Sequence, residues 1–550
     1  MKLTSSKLIK LSPLLLAVLV LTNFLFKGYC ISHNAIAGDE PFSIFYAQPD
    51  VFTIIKELSI GNNPPLYEIL LHFWIKLFGT SAIAVRSLSL IFSSIAVGFV
   101  FRLAQQFFNV QVAVYTSLLF ILSNYQTIFA HEARVYSLLG LLCLISVFYY
   151  FRIIIKNDVS RSTVIKFIVV STLLIYSHYF GFFILIVQFL FVLGTKELRL
   201  KYWRKLVLIA GIIFILYLPN TIVFIGRFLD SSSTGTWVSP TTDLGQLHAI
   251  IHLFSNDNPL AYVTMLILIW LGAGAYVYYS TISRFLKGLF LLFIFPLFFL
   301  TGISIFIRVP LLWVLTQSNI YVYFFLFFVF IFVLIVTFNQ KFSKIDFQTK
   351  FIVFWLWFPF LLMFTMSLEN FPYSIPMFFD RYLMIVAIAF YFFIGIIVNA
   401  IFRPSNFKTI ILPVVILFVF ANSSKPYVDN ERNVDQVVDK VNELKNENSL
   451  VLFSPKHFDL NLTYYLDNKL FKSSSSVEGL NKELKSKNVV GVNHIDDFNL
   501  AKWNHIIFID AASEFSFPGN NILRMLSSKF QNVTKNDTIG VLNVYEFKIK

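Results

Sequence analysis

Two adjacent carboxylates, Asp39 and Glu40, follow directly on the first long apolar run, and a third, Glu132, stands in the stretch His131-Glu132-Ala133-Arg134-Val135-Tyr136-Ser137. A carboxylate just beyond a membrane helix can take the proton of a hydroxyl, because the falling dielectric makes a raised pKa accessible. The plainer reading of the pair is a helix cap or an interfacial turn ahead of Pro41. Glu132 and Arg134 do not share a helical face at i,i+2, so a local salt bridge does not explain both. An arginine in an external cleft suits phosphate, since its planar fork gives two charge-assisted hydrogen bonds. A polar turn joining two short spans is the alternative. Arg381, in Phe379-Asp380-Arg381-Tyr382, is a second candidate phosphate ligand. His178, in Ser177-His178-Tyr179, could orient a partner, although a lone histidine is more often a satisfied structural group. His248 and His252 lie at i,i+4 without a nearby acidic third ligand, so no zinc site is expected.

These groups must be positioned by an unusually apolar chain. Of 550 residues 57% are apolar and 13% charged, with 66 Phe. Soluble domains carry about 25% charged residues, so an ordinary water-soluble globule is excluded. The net charge of +14 is gathered in short clusters between apolar runs and reads as a topology signal rather than a nucleic-acid surface. About thirteen runs are long enough to cross the bilayer, near 11–27, 84–107, 111–129, 135–155, 163–178, 179–195, 205–226, 259–280, 287–307, 319–338, 350–369, 381–401 and 408–424. Lys and Arg collect in alternate loops, beginning with Lys2, Lys7 and Lys10. The expected N-terminus is therefore cytoplasmic and, with an odd number of spans, the C-terminal tail is external.

The expected fold is an all-α polytopic membrane domain over 1–424, with a first external loop at 28–83, and a small external α/β domain over 425–550. In the latter, a helical stretch from Asn433 to Asn446 alternates with short β-type runs at 450–453, 506–509 and 541–545. Pro64-Pro65 should end any preceding helix. The following Leu66–Phe78 reads as an amphipathic interfacial helix with Tyr67 and Trp74 at the headgroup level. The first run is read as an uncleaved helix rather than a signal peptide, since it is slightly long for one. Cys30 and Cys143 fall on opposite sides of this topology and offer no disulfide framework.

Taken together, Asp39-Glu40, Asn62-Asn63-Pro64-Pro65-Leu66-Tyr67 ahead of Leu71-His72-Phe73-Trp74, the 131–137 stretch, Ser177-His178-Tyr179-Phe180 and Arg381-Tyr382-Leu383 resemble bacterial family 39-type glycosyltransferases. These are membrane enzymes of the GT-C fold, related to protein O-mannosyltransferases and to the lipid A aminoarabinose transferase. The resemblance covers most of residues 1–424 and implies transfer of a sugar from a polyprenyl-phosphate donor to an acceptor hydroxyl on the outer face of the bacterial cytoplasmic membrane. The acceptor would be a glycolipid, glycan or protein. By position, Asp39 is the implied base, with Glu40, Glu132 and Arg134 in the same cavity. Asn62, Asn63, Tyr67, His131, Tyr136, His178, Tyr179 and Tyr382 would complete the cavity for donor and acceptor. Arg134 and Arg381 would hold the donor phosphate. No metal ligands are assigned, and a divalent cation stays open as a cofactor. Where aminoarabinose-type members carry an acidic and a basic residue before the proline pair, this chain has Asn62-Asn63.

The chemistry points the same way on its own terms. A lipid-phosphate sugar already holds a good leaving group, so the protein must position the acceptor, remove its proton and stabilise the departing phosphate. Direct displacement would invert the anomeric centre. The competing readings are a transporter or flippase of lipid-linked sugars and a non-catalytic assembly protein. Transporters place ionisable groups near the midplane on interrupted helices, whereas here most notable charges sit at external helix ends.

Overall fold

The computed structural model describes residues 5–549 apart from 60–63, 235–237, 279–283, 290–301, 303–318, 339–344, 372–373, 402–407, 495–499, 514–516, 518, 520 and 535–537. The expected span at 287–307, the pair Asn62-Asn63, and Trp237, Arg308 and Trp313 lie outside the described residues.

The chain is a mostly helical, multi-pass membrane protein with a small C-terminal mixed sheet. The first helix, α1 (Ser5–Gly28), leads into a loop carrying three short helices, α2 (Glu40–Tyr46), α3 (Val51–Leu58) and α4 (Leu66–Phe78). Then come α5 (Ala82–Phe107), α6 (Val110–Ile121), α7 (Asn124–Ala130), α8 (Tyr136–Ile154), α9 (Arg161–Ser177), α10 (Gly181–Gly194), the long α11 (Lys196–Thr234), α12 (Leu244–Phe254) and α13 (Pro259–Tyr278). Among the described residues six helices are long and apolar enough to cross a membrane, and up to eight if each sharply bent pair is one span. The pair α6–α7 bends by 62° and α12–α13 by 105°. The expected third span, 111–129, is thus broken near Leu122, and the pair 163–178 and 179–195 is two short helices, α9 and α10. The run 205–226 lies inside α11, which begins nine residues earlier, at Lys196.

Caps set several of these boundaries. Ser81 accepts from the Ala84 N–H to start α5, Asn109 caps α6 and Ser123 caps α7. Each supplies an oxygen to an otherwise unsatisfied N–H of the first turn. Helix α8 is buried on nearly every face, as expected of an all-round apolar helix at a bundle centre. It packs against α5 and α9.

The C-terminal strands are β1 (Ser449–Ser454), β2 (Val489–Gly491), β3 (His505–Asp510), β4 (Phe530–Asn532), β5 (Thr538–Ile539) and β6 (Leu542–Ile549). They form one sheet in the order β2-β1-β3-β6-β4, with β5 on β6. Strand β1 is parallel to β2 and β3, and β6 runs antiparallel to β3. Alternation divides the strand faces. Val451 and Phe453 join the apolar core continuous with the membrane helices, while Leu450 and Leu452 join a second core closed by Ile522 and Leu526. The helix expected at 433–446 is present as Val434–Leu444, with its valines buried.

Candidate active site

The loop after α1 is built around one buried ion pair. Arg86, one turn into α5, projects from an apolar helix and is 1% exposed, as Glu40 is 3%. Its Nε and Nη2 donate to the Glu40 carboxylate at 2.8 and 2.6 Å, and its remaining N–H groups donate to the carbonyls of Ile31, Asn34 and Ala35. Glu40 also accepts from the Ala133 N–H at 2.9 Å. One guanidinium therefore ties the loop leaving α1, the start of α2 and the 131–135 turn into a single rigid unit. The expectation that Glu40 shares general-base work with Asp39 needs correcting here. Glu40 accepts three hydrogen bonds and is turned away from solvent, so its carboxylate is committed to Arg86 and the Ala133 N–H.

Asp39 is different. Its side chain is 48% exposed and pairs with two arginines brought from distant elements, Arg134 at 3.8 Å and Arg381, whose Nη1 donates directly to Oδ2. Burial alone would raise its pKa, but Arg134, Arg381 and Arg432 together outweigh that and hold the carboxyl below its ordinary value. The raised pKa that a membrane-proximal position allows is therefore not the outcome.

Arg134 is buried. It donates from Nη1 to Ser43 Oγ at 2.8 Å, and Ser43 donates in turn to Glu68 Oε1 at 2.8 Å. Its Nε–H has no acceptor among the described residues. Burial pushes Glu68 upward in pKa. Arg381, in a single 3₁₀ turn (Asp380–Leu383), lies over the rings of Phe379 and Tyr136 at 5.3 and 5.9 Å. Glu132 lies beside these charges. Burial is the main influence on it, opposed by Arg381 and reinforced by Glu40 and Asp39, and its carboxyl is raised to about 7.

The remaining expected residues surround this cluster to different degrees. His131 donates from Nε2 to the Lys27 carbonyl at 2.5 Å, and burial lowers its pKa to about 4. It is a neutral structural clamp on the end of α1. Tyr67 is fully buried with its hydroxyl 3.1 Å from Ser89, and Trp74 donates to the Ala84 carbonyl at 2.8 Å. Helix α4 thus binds α5 through both aromatics, and Tyr67 does not sit at a headgroup level. Tyr382 stacks on Phe180 at 4.6 Å and lies 5.7 Å from the His178 ring. His178 Nδ1 accepts the Phe180 N–H at 3.1 Å, which leaves the proton on Nε2. That buried Nε2 has no partner among the described residues, and Arg134 is close enough to act on the imidazole electrostatically.

Behind the 177–180 turn is an apolar cavity of about 410 Å³ between α9, α10 and α11, lined by Phe167, Phe182, Phe189, Tyr217 and Phe224 among others. Tyr179 packs on Phe224 at 5.3 Å. The turn therefore joins the cavity on one side to Tyr382 and Arg381 on the other. No three His, Cys, Asp or Glu side chains converge as metal ligands among the described residues. Sequence reasoning missed Arg86, Ser43 and Glu68. The signal for Arg86 was a charge within an apolar span.

The loops of this polytopic helical membrane protein thus gather a carboxylate and several guanidiniums beside an apolar cavity. Residues 62–223 match the family described as dolichyl-phosphate-mannose-protein mannosyltransferase. That match makes this segment, which is under a third of the 550 residues, similar to a family of lipid-phosphate-sugar-dependent membrane glycosyltransferases. Among solved structures, ArnT from Cupriavidus metallidurans bound to undecaprenyl phosphate is 12% identical, with a TM-score of 0.48 and 97% of each chain covered. Its apo state gives 12% and 0.46, with 96% of this chain and 97% of that one covered. The archaeal oligosaccharyltransferase AglB from Archaeoglobus fulgidus, in complex with an inhibitory peptide and a dolichol-phosphate, is 10% identical at a TM-score of 0.46, covering 90% of this chain and 70% of that one. No curated protein matches the chain in sequence.

Proposed function

We propose that the protein moves a sugar from a polyprenyl-phosphate donor to an acceptor hydroxyl at the outer face of a bacterial cytoplasmic membrane, with inversion at the anomeric carbon. The observation that carries this reading is the meeting of one half-exposed carboxylate, Asp39, with the guanidiniums of Arg134 and Arg381. In the same reading the N-terminus is cytoplasmic and the chain makes about thirteen crossings. Residues 1–424 are the catalytic unit, and 425–550 form an external domain.

In the reaction the acceptor oxygen bonds to the anomeric carbon while the carbon–oxygen bond to phosphate breaks. The electron pair leaves with the phosphate, and the acceptor proton goes to Asp39. The arginines serve both ends of this exchange. Without substrate they pair with Asp39 and depress its basicity. A phosphate that takes up the Arg134 Nε–H and the Arg381 fork weakens their hold on Asp39, so the base gains strength as the donor arrives. His178 offers a neutral Nε2–H to a donor oxygen, and Tyr136, Tyr179 and Tyr382 shape the cavity wall around it. The apolar cavity behind Tyr179 suits the prenyl chain. Glu40 acts through Arg86 as a positioning residue, as Tyr67 and His131 do through α5 and α1. Asn62 and Asn63, which precede α4 in the sequence, are assigned to the donor and acceptor cavity.

The test is incubation of the purified full-length protein with a panel of polyprenyl-phosphate sugars and acceptor-containing membrane extract. Release of free polyprenyl phosphate with sugar gained by the extract is expected for at least one donor. Translocation of the intact donor without cleavage would overturn the reading.

A further inference from the structure

The two arginines paired with Asp39 come from turns at the ends of membrane helices, and a third guanidinium reaches the same place from the C-terminal part of the chain. Arg432 lies in the segment that leads into the C-terminal sheet. A Cβ built on Gly38, the residue before Asp39, would land on the Arg432 guanidinium. Gly38 has φ +64°, a conformation that favours glycine, and the Arg432 guanidinium would have to shift to admit a Cβ there. Arg432 acts electrostatically on both Asp39 and Glu132. Among the described residues it has no carboxylate of its own at ion-pair distance.

Its placement is built rather than incidental. Glu431, immediately before it, has φ +54°, an uncommon conformation for a side-chain-bearing residue. That conformation is held from the sheet, where the Val541 N–H donates to the Glu431 carbonyl at 3.0 Å. Gly540, at φ +64°, lies so close that a Cβ there would strike the same carbonyl. On the other side Asn34 donates to the Val428 carbonyl at 2.8 Å, and the His33 and Tyr427 rings lie 3.7 Å apart. Strained backbone that the surroundings over-determine is found where a side chain must be aimed. Here the chain on both sides of Arg432 is fixed so that its guanidinium meets the Asp39 turn.

We infer that Arg432 is an active-site residue supplied by the C-terminal segment, contacting the phosphate of the lipid donor and of the lipid product. The inference rests on the glycosyltransferase reading above. With a donor phosphodiester bound, Asp39, an ionised Glu132 and the phosphate carry three negative charges. Arg134 and Arg381 balance two of them, and Arg432 balances the third. As the carbon–oxygen bond breaks and Asp39 takes the proton, negative charge moves from the carboxylate to the phosphate. A cation facing both groups follows that movement without rearranging, which is how preorganised charge lowers a barrier.

Because Coulomb energy scales with ligand charge, Arg432 should matter about twice as much, in free energy, for a dianionic phosphate monoester as for a monoanionic diester. The experiment measures binding of polyprenyl phosphate and of its methyl phosphodiester to full-length wild type, Arg432→Gln and Arg432→Lys, at about pH 8, where the monoester is dianionic. Arg432→Gln should lose about tenfold in affinity for the monoester and about threefold for the diester. Arg432→Lys should recover most of both, with thermal midpoints unchanged. Equal losses for the two lipids, no loss, or a loss that lysine fails to recover would overturn the assignment. Failure of the wild type to bind either lipid would instead overturn the glycosyltransferase reading itself, and Arg432's role with it.

Discussion

At the scale of single residues, adjacent carboxylates have different environments and so different chemistry. Glu40 is buried against Arg86 and holds the loop, whereas Asp39 is half-exposed between Arg134 and Arg381. Glu132 gives this a pH dependence. Its carboxyl is raised to about 7, so below that pH it is neutral in the folded protein, and above it an anion competes with phosphate for Arg381. A raised carboxyl also contributes stability that is present below its unfolded pKa and lost as pH rises through the folded value. Both effects run the same way. Between about pH 6 and 8 the affinity of Glu132→Gln for polyprenyl phosphate, relative to wild type, should rise by roughly threefold or more. Taking the ratio removes the lipid's own ionisation, and a ratio flat across that range would count against this role. Asp39, Arg134 and Arg381 were all legible as candidates because charged residues at membrane depth are few. That Glu40 would point inward was not, since its partner lies 46 residues away and no local spacing relates them.

Among the elements, the short helices of the first loop carry the site, and α5 carries them. Arg86 joins α5 to α2 through Glu40, which also accepts from the turn before α8, and Trp74 and Tyr67 join α5 to α4. Removing one partner of a fully buried, hydrogen-bonded pair leaves the other charge uncompensated. Arg86→Ala should therefore lower stability by roughly 3–5 kcal/mol, read as a drop in the thermal midpoint in detergent. Replacing Glu40 and Arg86 together by Gln and Met should cost less than the single change. An Arg86→Ala protein as stable as wild type would show that the pair does not organise the loop. Helix α4 was legible from Pro64-Pro65 and its apolar pattern, and its observed limits coincide with the expected ones. Its burial was not legible, because an aromatic that anchors in headgroups and one that packs on a neighbouring helix have the same spacing. The break between α6 and α7 was hidden for a similar reason. Ser123 and Asn124 are too few to interrupt an apolar run, yet Ser123 caps α7 and Asn124 is fixed by Asn256, whose side chain accepts its N–H at 2.7 Å.

Over the whole molecule, the C-terminal sheet is not an appendage. Asn461 donates to the Gly38 carbonyl at 3.0 Å, the Ile36 N–H donates to the Tyr465 hydroxyl at 2.6 Å, and Tyr464 donates to the Thr80 carbonyl at 2.8 Å. The first two contacts lie within three residues of Asp39, and the third holds the end of the same loop ahead of α5. The β-type runs read at 450–453, 506–509 and 541–545 overlap β1, β3 and β6, whereas the short strands β2, β4 and β5 were not legible in the sequence. The sequence could not show that one face of β1 would share a core with the membrane helices, because alternating apolar residues state only that both faces are covered.

The account rests most heavily on Asp39 as the acceptor's base, and the direct measurement is single-turnover release of polyprenyl phosphate by wild type and Asp39→Asn at matched donor occupancy. The amide keeps the shape and removes the proton acceptor. Lipid binding should be retained or strengthened, since both arginines lose their competing carboxylate, while release falls by at least about a hundredfold. An Asp39→Asn protein that binds donor and releases lipid phosphate at the wild-type rate would contradict the account.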